Sequence, residues 1–522
     1  MKFQRIAVLV AICASTSMAC AQETNEVEQL KRQLREMQES FQRSQAEQKA
    51  QMEALQKQLE ALSAPKRDQE GQLEPSALKP AGDTASPAPV SITAEKWKPS
   101  DPIRLQSGGA YLDVGLVGTF AAGGSTADDI EGGLELGGHD PNQRGFTVQG
   151  LEAAFSGAVD PYFRGQANIL FSVDSDGESF VELEEAWLET LSLPAGLQLR
   201  AGQIMTEFGR QNAQHPHQWA FVDTPLVLGR YFGPDGLRNP GVRLSWLMPL
   251  AFYSQLSLTL QNSQGETASS FRSSGDHAHG DEEETELPFS YRPTDNDRGV
   301  EGVGDLLLTP RYTASFDLSD TQTLLAGASA SFGPNSRGGE EAGDTTTQIY
   351  GLDLTWKWKP ERHHGGFPFV QMQAEGLVRS YDAGSFDWSV ESNGLNDDGL
   401  LLDAGGLPAN LAGETLTDYD GYAQILYGFK KGWVAGLRGD YVSSDPAAYE
   451  SSSYTFNGAA VSSRDPARAE RWRLSPNLTW YPTEFSKIRL QYNYDDREME
   501  GVDHSVWLQF EFVLGAHAAH TF

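Results

Sequence analysis

From residue 105 onward, apolar and polar residues alternate in sixteen segments joined by connections that are alternately short and long. The short connections carry turn residues, such as Asp160-Pro161 and Lys431-Gly432, whereas the long ones include 207–239 and 263–303. Tight turns on one rim and long loops on the other are typical of a transmembrane β-barrel. The pattern therefore predicts an all-β fold, a sixteen-stranded antiparallel transmembrane β-barrel over 105–522, with fourteen to eighteen strands possible.

The expected strands follow from the limits of each alternating segment. They are 110–120, 145–157, 162–173, 179–191, 196–206, 240–249, 252–262, 304–317, 320–333, 346–358, 367–381, 417–430, 432–445, 469–482, 485–496 and 503–514. In 346–358, Leu352 and Leu354 share one face, and Asp353 and Lys357 share the other. A polar inner face predicts a water-filled lumen rather than a packed core.

Strand 179–191 breaks the alternation. Glu184 and Glu185 are consecutive, so the two side chains should point to opposite faces. Both can face inward only if the strand contains a β-bulge.

The N-terminal region reads as three segments ahead of the barrel. Residues 1–21 predict a signal peptide, with an apolar run and an A-x-A cleavage site at Ala19-Cys20-Ala21; an acylated Cys20 is the alternative. Residues 23–62 carry apolar a/d positions with one interruption, which predicts an α-helical coiled coil, favoured as a parallel trimer. Residues 63–104 are rich in Pro and Ala and predict an extended linker.

These segments also predict a location and partners. A secreted barrel belongs in the outer membrane of a Gram-negative-type bacterium, with the coiled coil in the periplasm and within reach of peptidoglycan. The expected assembly is a homotrimer in contact with outer-membrane lipid and lipopolysaccharide. Both cysteines, Cys13 and Cys20, lie in the signal peptide, so the mature chain is expected to have neither a disulfide nor a thiolate metal site.

Charge and hydropathy restrict the function classes. The formal net charge is −32, which makes nucleic acid an unsuitable partner. The mean hydropathy is −0.44, too low for a helical membrane protein but compatible with a barrel, in which alternate residues face lipid.

Strand parity places a set of basic residues on the inner face of the barrel. The pore-lining candidates are Arg200, Arg243, Arg311, Lys357, Arg379, Arg438, Arg471, Arg473 and Arg489. Arg438, Arg471, Arg473 and Arg489 lie on three consecutive strands and could form a stripe that concentrates anions. The alternative is that Asp440, Asp495 and Glu511 neutralise this stripe, and the sequence leaves both interpretations open.

Two long connections carry further candidate sites. The first, 207–239, is a candidate constriction loop, with Arg210, Trp219, Asp223, Arg230 and Arg238. The second, 263–303, carries a candidate zinc site at His277, His279, Asp281 and Glu282, for which a solvated acidic loop is the alternative.

A motif in three parts resembles the core of the phosphate-selective porins of the O and P type. Its parts are Glu185-Ala186-Trp187-Leu188-Glu189, Leu199-Arg200-Ala201-Gly202-Gln203 and Glu207-Phe208-Gly209. The resemblance implies a coiled-coil-bearing porin with basic residues in the bore, of which Arg200 matches the motif. The acidic loop and the tail Gly-Ala-His-Ala-Ala-His-Thr-Phe are also similar to proteins labelled zinc-regulated outer-membrane receptors.

The sequence therefore predicts an outer-membrane porin for passive diffusion of small hydrophilic solutes, among them anions. The alternative is an uptake protein for zinc or a metal chelate. We expect no enzymatic activity, since the chain has no G-x-S-x-G motif, and we expect no cofactor.

Overall fold

A computed structural model describes the barrel and most of its loops. The described residues are 103–107, 109–134, 137–158, 160–175, 177–265, 267–272, 289–292, 299–335, 345–387, 410–451, 454–456, 459–461 and 464–515. The predicted signal peptide, coiled coil and linker lie outside them, except that Ile103 and Arg104, assigned to the linker, belong to the first strand.

Strands dominate the described residues. They are β1 Ile103–Ser107, β2 Ala110–Ser125, β3 Gly145–Ala158, β4 Phe163–Val173, β5 Ser179–Thr190, β6 Leu197–Met205, β7 Arg238–Leu247, β8 Tyr253–Asn262, β9 Leu306–Ser319, β10 Gln322–Pro334, β11 Thr346–Trp358, β12 Phe369–Ala383, β13 Phe386–Asp387, β14 Asn410–Leu411, β15 Glu414–Lys430, β16 Trp433–Ser444, β17 Tyr454–Phe456, β18 Ala459–Val461, β19 Arg471–Thr483, β20 Ser486–Arg497 and β21 Gly501–Gly515.

Helices are short. The helix α1 spans Leu226–Phe232, and single helical turns occupy Ile130–Leu134, Pro194–Gly196, Pro216–Gln218, Phe289–Tyr291, Val303–Asp305, Tyr449–Ser451 and Pro466–Arg468. Within the described part of the chain, a helix long and apolar enough to cross a bilayer does not occur.

Sixteen strands close into a barrel. Each barrel strand pairs antiparallel with the next in sequence, and β13, β14, β17 and β18 form two small separate hairpins in the loops. The last strand, β21, pairs with β2 from Gly115↔Gly515 to Ser125↔Ser505, which closes the ring. β1 pairs with the remaining part of β2, from Ile103↔Val114 to Ser107↔Ala110. The closed sheet leaves β2 without a free edge along this length.

All sixteen predicted strands are present, so the predicted fold class is confirmed. Strand 346–358 has the predicted limits, and most other ends differ by one to three residues. The largest difference is at the first barrel strand, which continues to Ser125 rather than 120, because 121–125 still pairs with β21 and 121–123 also pairs with β3.

The two faces of the barrel follow the predicted parity. On β11, Leu352 is 69% exposed on the outside and Asp353 is 2% exposed on the inside. On β21, Phe510 and Phe512 lie outside and Glu511 inside. An apolar exterior exposed all round is what a hydrocarbon environment requires of a barrel.

The inner face departs from the sequence-based expectation in one respect. A water-filled lumen was predicted, yet an apolar cluster lies inside the barrel around α1. Its members are Phe208, Leu226, Val227, Leu228, Tyr231, Phe232, Leu237, Ala268, Phe271, Leu307, Ile349, Leu377, Tyr422 and Val442. The connection between β6 and β7 therefore fills part of the lumen, and the water-filled path that the sequence predicts stays a prediction.

The long-loop rim is packed as well. Tyr291, Tyr381, Leu416 and Tyr449 belong to a second buried apolar cluster there. The carboxylate of Asp465 accepts hydrogen bonds from the Tyr449 hydroxyl at 2.7 Å and the Ser290 N–H at 2.8 Å. These contacts tie two long connections, β8–β9 and β16–β19, together beside β12 and β15.

Candidate functional site

The connection between β6 and β7, residues 206–237, folds into the barrel and crosses it; we call it the inserted loop. Near its start, the N–H of Gly209 donates to Ser329 Oγ on β10 at 3.1 Å. Further along, His217 Nδ1 lies 2.9 Å from Glu152 Oε2 on β3. β10 and β3 lie on nearly opposite sides of the ring of sixteen strands, so the loop spans the bore.

Glu375 on β12 holds the start of the inserted loop. Its carboxylate accepts hydrogen bonds from the N–H groups of Arg210 at 3.0 Å and Gln211 at 2.8 Å, and from the Tyr422 hydroxyl at 2.6 Å. Gly209 adopts φ +60°, and a Cβ there would collide with Glu375. Glycine at this position permits both the left-handed turn and the close approach to the carboxylate.

Asp223 is the main charged anchor of the inserted loop. Its carboxylate contacts Arg438 at 2.7 Å, Arg473 at 3.1 Å, and the amides of Gln491 and Asn493 at 2.8 Å each. Burial raises the pKa of Asp223, but Arg438 and Arg473 outweigh that effect, and the pKa lies below its usual range. Asp223 is therefore an anion at neutral pH, bound to three barrel strands.

Backbone carbonyls of the inserted loop are also held by the wall. Arg489 donates to the carbonyls of Phe221 at 2.8 Å and Trp219 at 2.9 Å, and Lys487 donates to that of His217 at 3.1 Å. These contacts satisfy acceptors that would be costly to leave unpaired inside the barrel.

The predicted pore-lining residues do face the barrel interior. Lys357 is half-buried there, and the others are buried or nearly buried: Arg200, Arg243, Arg311, Arg379, Arg438, Arg471, Arg473 and Arg489. Whether they line a conducting path stays a prediction.

The anion stripe predicted from the sequence is covered by the inserted loop, and three of its four arginines pair with carboxylates, whereas Arg489 donates to loop carbonyls. Arg438 pairs with Asp223 and Asp440, and Asp495 pairs with Arg471 and Arg473. The geometry favours the alternative in which this group stabilises the wall, here together with the inserted loop. The sequence did not indicate Asp223 as the partner because it lies more than two hundred residues away in the chain.

A second basic group retains an excess of positive charge. On β5, Glu189 accepts hydrogen bonds from Arg164 at 2.8 Å and Arg200 at 2.9 Å, and Arg243 lies 3.7 Å away. The Arg200 guanidinium stacks 3.7 Å from the centre of the Trp187 ring. The side chain of Arg164 is 48% exposed, so this group, unlike the stripe, is accessible to solvent.

The constriction-loop candidates occupy different environments. Asp223 and Trp219 are buried in the inserted loop, Arg230 is half-buried on α1, and Arg210 is exposed. Arg238 is the first residue of β7 and is 2% exposed, with Glu182 as an ion-pair partner.

A cluster of imidazoles and carboxylates lies where the inserted loop meets β3 and β5. His215 Nδ1 is 3.2 Å from Glu184 Oε2 and 3.7 Å from Glu152 Oε1. Burial lowers the pKa of His215, yet Glu152 and Glu184 raise it well above the usual range. Burial, followed by Arg238, lowers the pKa of nearby His139 to about 3. These residue types could hold a metal ion.

The bulge that Glu184 and Glu185 need in order to face inward together is present on β5. Asn168 pairs with Glu185 and Ile169 with Leu183, so Glu184 is the extra residue. Both glutamates consequently face inward. The separately predicted zinc residues His277, His279, Asp281 and Glu282 lie outside the described residues, so that prediction and the uptake function resting on it stay predictions.

Comparison with known proteins gives a relative and several structures of similar fold. No family model matches the chain. The outer membrane channel DcaP of Acinetobacter baumannii aligns with 78% of this chain and 98% of its own at 14% identity and a TM-score of 0.44. The anion-selective porin from Comamonas acidovorans aligns with 78% and 100% at 7% identity and a TM-score of 0.45.

An uncharacterized protein of Aquifex aeolicus (strain VF5) is 31% identical over 437 residues. The alignment covers 79% of this chain and 80% of that protein. Identity at this level over most of both sequences establishes common descent. The chain belongs to the same family as the Aquifex aeolicus protein.

Proposed function

We propose that this protein is an outer-membrane channel for passive diffusion of small hydrophilic solutes, and that the inserted loop sets its constriction. The observation that carries the proposal is a closed barrel with an apolar exterior whose polar interior is crossed by one loop anchored on nearly opposite walls. Sixteen strands enclose a space wide enough for an aqueous path. A loop fixed inside that space reduces the path to the size of small solutes.

The proposal includes a preference for anions, located at the Glu189 group rather than at the predicted stripe. In the stripe, Arg438, Arg471 and Arg473 face three carboxylates, and all four arginines including Arg489 are buried. At the Glu189 group, three guanidinium groups face Glu189, with Glu207 as an additional partner of Arg243. Excess positive charge at a solvent-accessible place raises the local concentration of anions.

Reversal potentials in planar bilayers under a salt gradient test this proposal. We expect discrete conductance steps with an anion-selective reversal potential, and Arg164→Gln should move that potential toward cation selectivity. The matched control is Arg362→Gln, which removes an exposed charge from the turn between β11 and β12 and should leave the potential unchanged. Cation selectivity of the unaltered protein would contradict the proposed role of the Glu189 group.

The assembly proposal is a homotrimer with its coiled coil in the periplasm. It rests on the heptad pattern of 23–62, which lies outside the described residues. Mass measurement of the detergent-solubilised full chain, compared with a variant lacking 23–62, tests it. A trimer that persists without 23–62 would assign trimerisation to the barrel instead.

A further inference from the structure

The cluster at the junction of β3, β5 and the inserted loop has properties that a bracing ion pair does not need. Glu152, Glu184, Glu185 and His215 are each at most 7% exposed. Glu184 is fully buried, and its ion-pair partners among the described residues are His139 and His215. Its Oε1 atom accepts no hydrogen bond from the described residues. A buried carboxylate in this state is costly unless a cation compensates it.

The charges in the cluster favour a divalent cation over a proton. Three carboxylates, those of Glu152, Glu184 and Glu185, surround His215. Two further imidazoles lie at the edge of the cluster, with His217 Nδ1 2.9 Å from Glu152 and His139 Nε2 3.7 Å from Glu184. Protonation of His215 supplies one positive charge, whereas a divalent ion supplies two and leaves the imidazole as a neutral ligand. Removal of like-charge repulsion between buried carboxylates is a general effect of bound metal ions.

The ligand atoms are spaced for one ion. Two ligands bound at about 2.0–2.1 Å to a tetrahedral metal lie about 3.3 Å apart. The distances from His215 Nδ1, 3.2 Å to Glu184 and 3.7 Å to Glu152, lie on either side of that value. All three ligand atoms lie within 4.8 Å of one another, so small side-chain adjustments bring them to a common centre.

The surroundings of His215 match those of a metal-binding histidine. Its second ring nitrogen, Nε2, lies 3.2 Å from Glu185 Oε2. A hydrogen bond from this nitrogen to a carboxylate fixes the tautomer in which Nδ1 carries the lone pair, and such pairs are the usual support of zinc-binding imidazoles. The β5 bulge makes this possible, because it directs both Glu184 and Glu185 inward.

We propose that Glu152, Glu184 and His215 bind a divalent transition-metal ion of the zinc type, with Glu185 as the residue that orients His215. One nitrogen and two carboxylate oxygens suit zinc, whereas calcium and magnesium favour oxygen ligands alone. The ion would join the inserted loop to β3 and β5, on the side of the bore away from Glu375. The proposal does not depend on channel activity.

Metal titration of the chelator-treated, detergent-solubilised full chain tests the proposal. We expect one Zn²⁺ per chain, not displaced by excess Mg²⁺ or Ca²⁺. Glu184→Gln and His215→Gln should weaken binding by more than a hundredfold, and Glu185→Gln by about 10–100-fold, the usual loss for a residue that supports a ligand. The Glu185 variant keeps all three ligands, so it tests the site even if a ligand variant misfolds.

Two matched controls complete the design. Glu207→Gln makes the same chemical change in the inserted loop at a carboxylate paired with Arg243, and should bind Zn²⁺ normally. Joint replacement of His277, His279, Asp281 and Glu282 by alanine should also leave the high-affinity site intact. Three results would overturn the proposal. They are absence of Zn²⁺ binding, a Zn²⁺ affinity of the Glu184 and Glu185 variants equal to that of the unaltered protein, and loss of Zn²⁺ binding in the alanine variant.

Discussion

Asp223 offers the sharpest test of how the inserted loop is held. Asp223→Asn keeps the size of the side chain but removes the charge that faces Arg438 and Arg473. Loss of one partner from a buried ion pair costs about 3–5 kcal/mol. We expect the lower end, about 3 kcal/mol, because Arg438 keeps Asp440 and Arg473 keeps Asp495. This corresponds to on the order of a hundredfold increase in the ratio of detached to anchored loop.

Single-channel recording in planar bilayers measures that change. A loop that detaches from β16, β19 and β20 widens the bore intermittently, so we expect a higher mean conductance and greater open-channel noise. Asp353→Asn is the matched control, because Asp353 is a buried aspartate paired with Arg311 at 2.6 Å between wall strands. It should lower thermal stability and leave conductance unchanged. Equal conductance and noise in the two variants would refute the anchoring role of Asp223.

Three further outcomes follow from the same contacts. Gly209→Ala should lower stability by at least about 1–2 kcal/mol in urea unfolding, because a left-handed backbone is unfavourable for alanine and its Cβ meets Glu375; an unchanged midpoint would count against the tight contact. Conductance should rise as the pH falls below about 4, because the pKa of Asp223 is lowered and the stabilisation by its ionised form is lost only as the pH falls through the folded-state pKa; a transition near pH 6 would implicate another group. Saturating Zn²⁺ should raise the thermal midpoint of the unaltered chain but not of Glu184→Gln, and an equal shift in both would place the stabilising metal elsewhere.

The barrel strands could be predicted from the sequence because the pattern that a barrel requires is local to each strand. Every strand has one face in lipid, so apolar residues must recur at every second position, as at Leu352 and Leu354 around Asp353. The consecutive Glu184 and Glu185 left β5 ambiguous in the sequence, and the structure resolves it with a bulge that buries both side chains.

The contacts inside the barrel could not be predicted in the same way. Asp223 meets Arg438 and Arg473, and His215 meets Glu152, through contacts between distant parts of the chain that no spacing encodes. One signal for insertion of the loop was present. The stretch from Phe221 to Phe232 is rich in apolar residues, and an exposed loop would leave them in contact with water. In the structure they pack at and around α1 inside the barrel.

If the proposed function is correct, the barrel conducts small solutes past the inserted loop. The most direct measurement is the swelling rate of liposomes containing the full chain in uncharged sugars of increasing size, compared with lipid-only liposomes. We expect rapid swelling in the smallest sugars and a steep fall with size, as a loop anchored on both walls requires. Swelling no faster than in the lipid-only control for every sugar would contradict it.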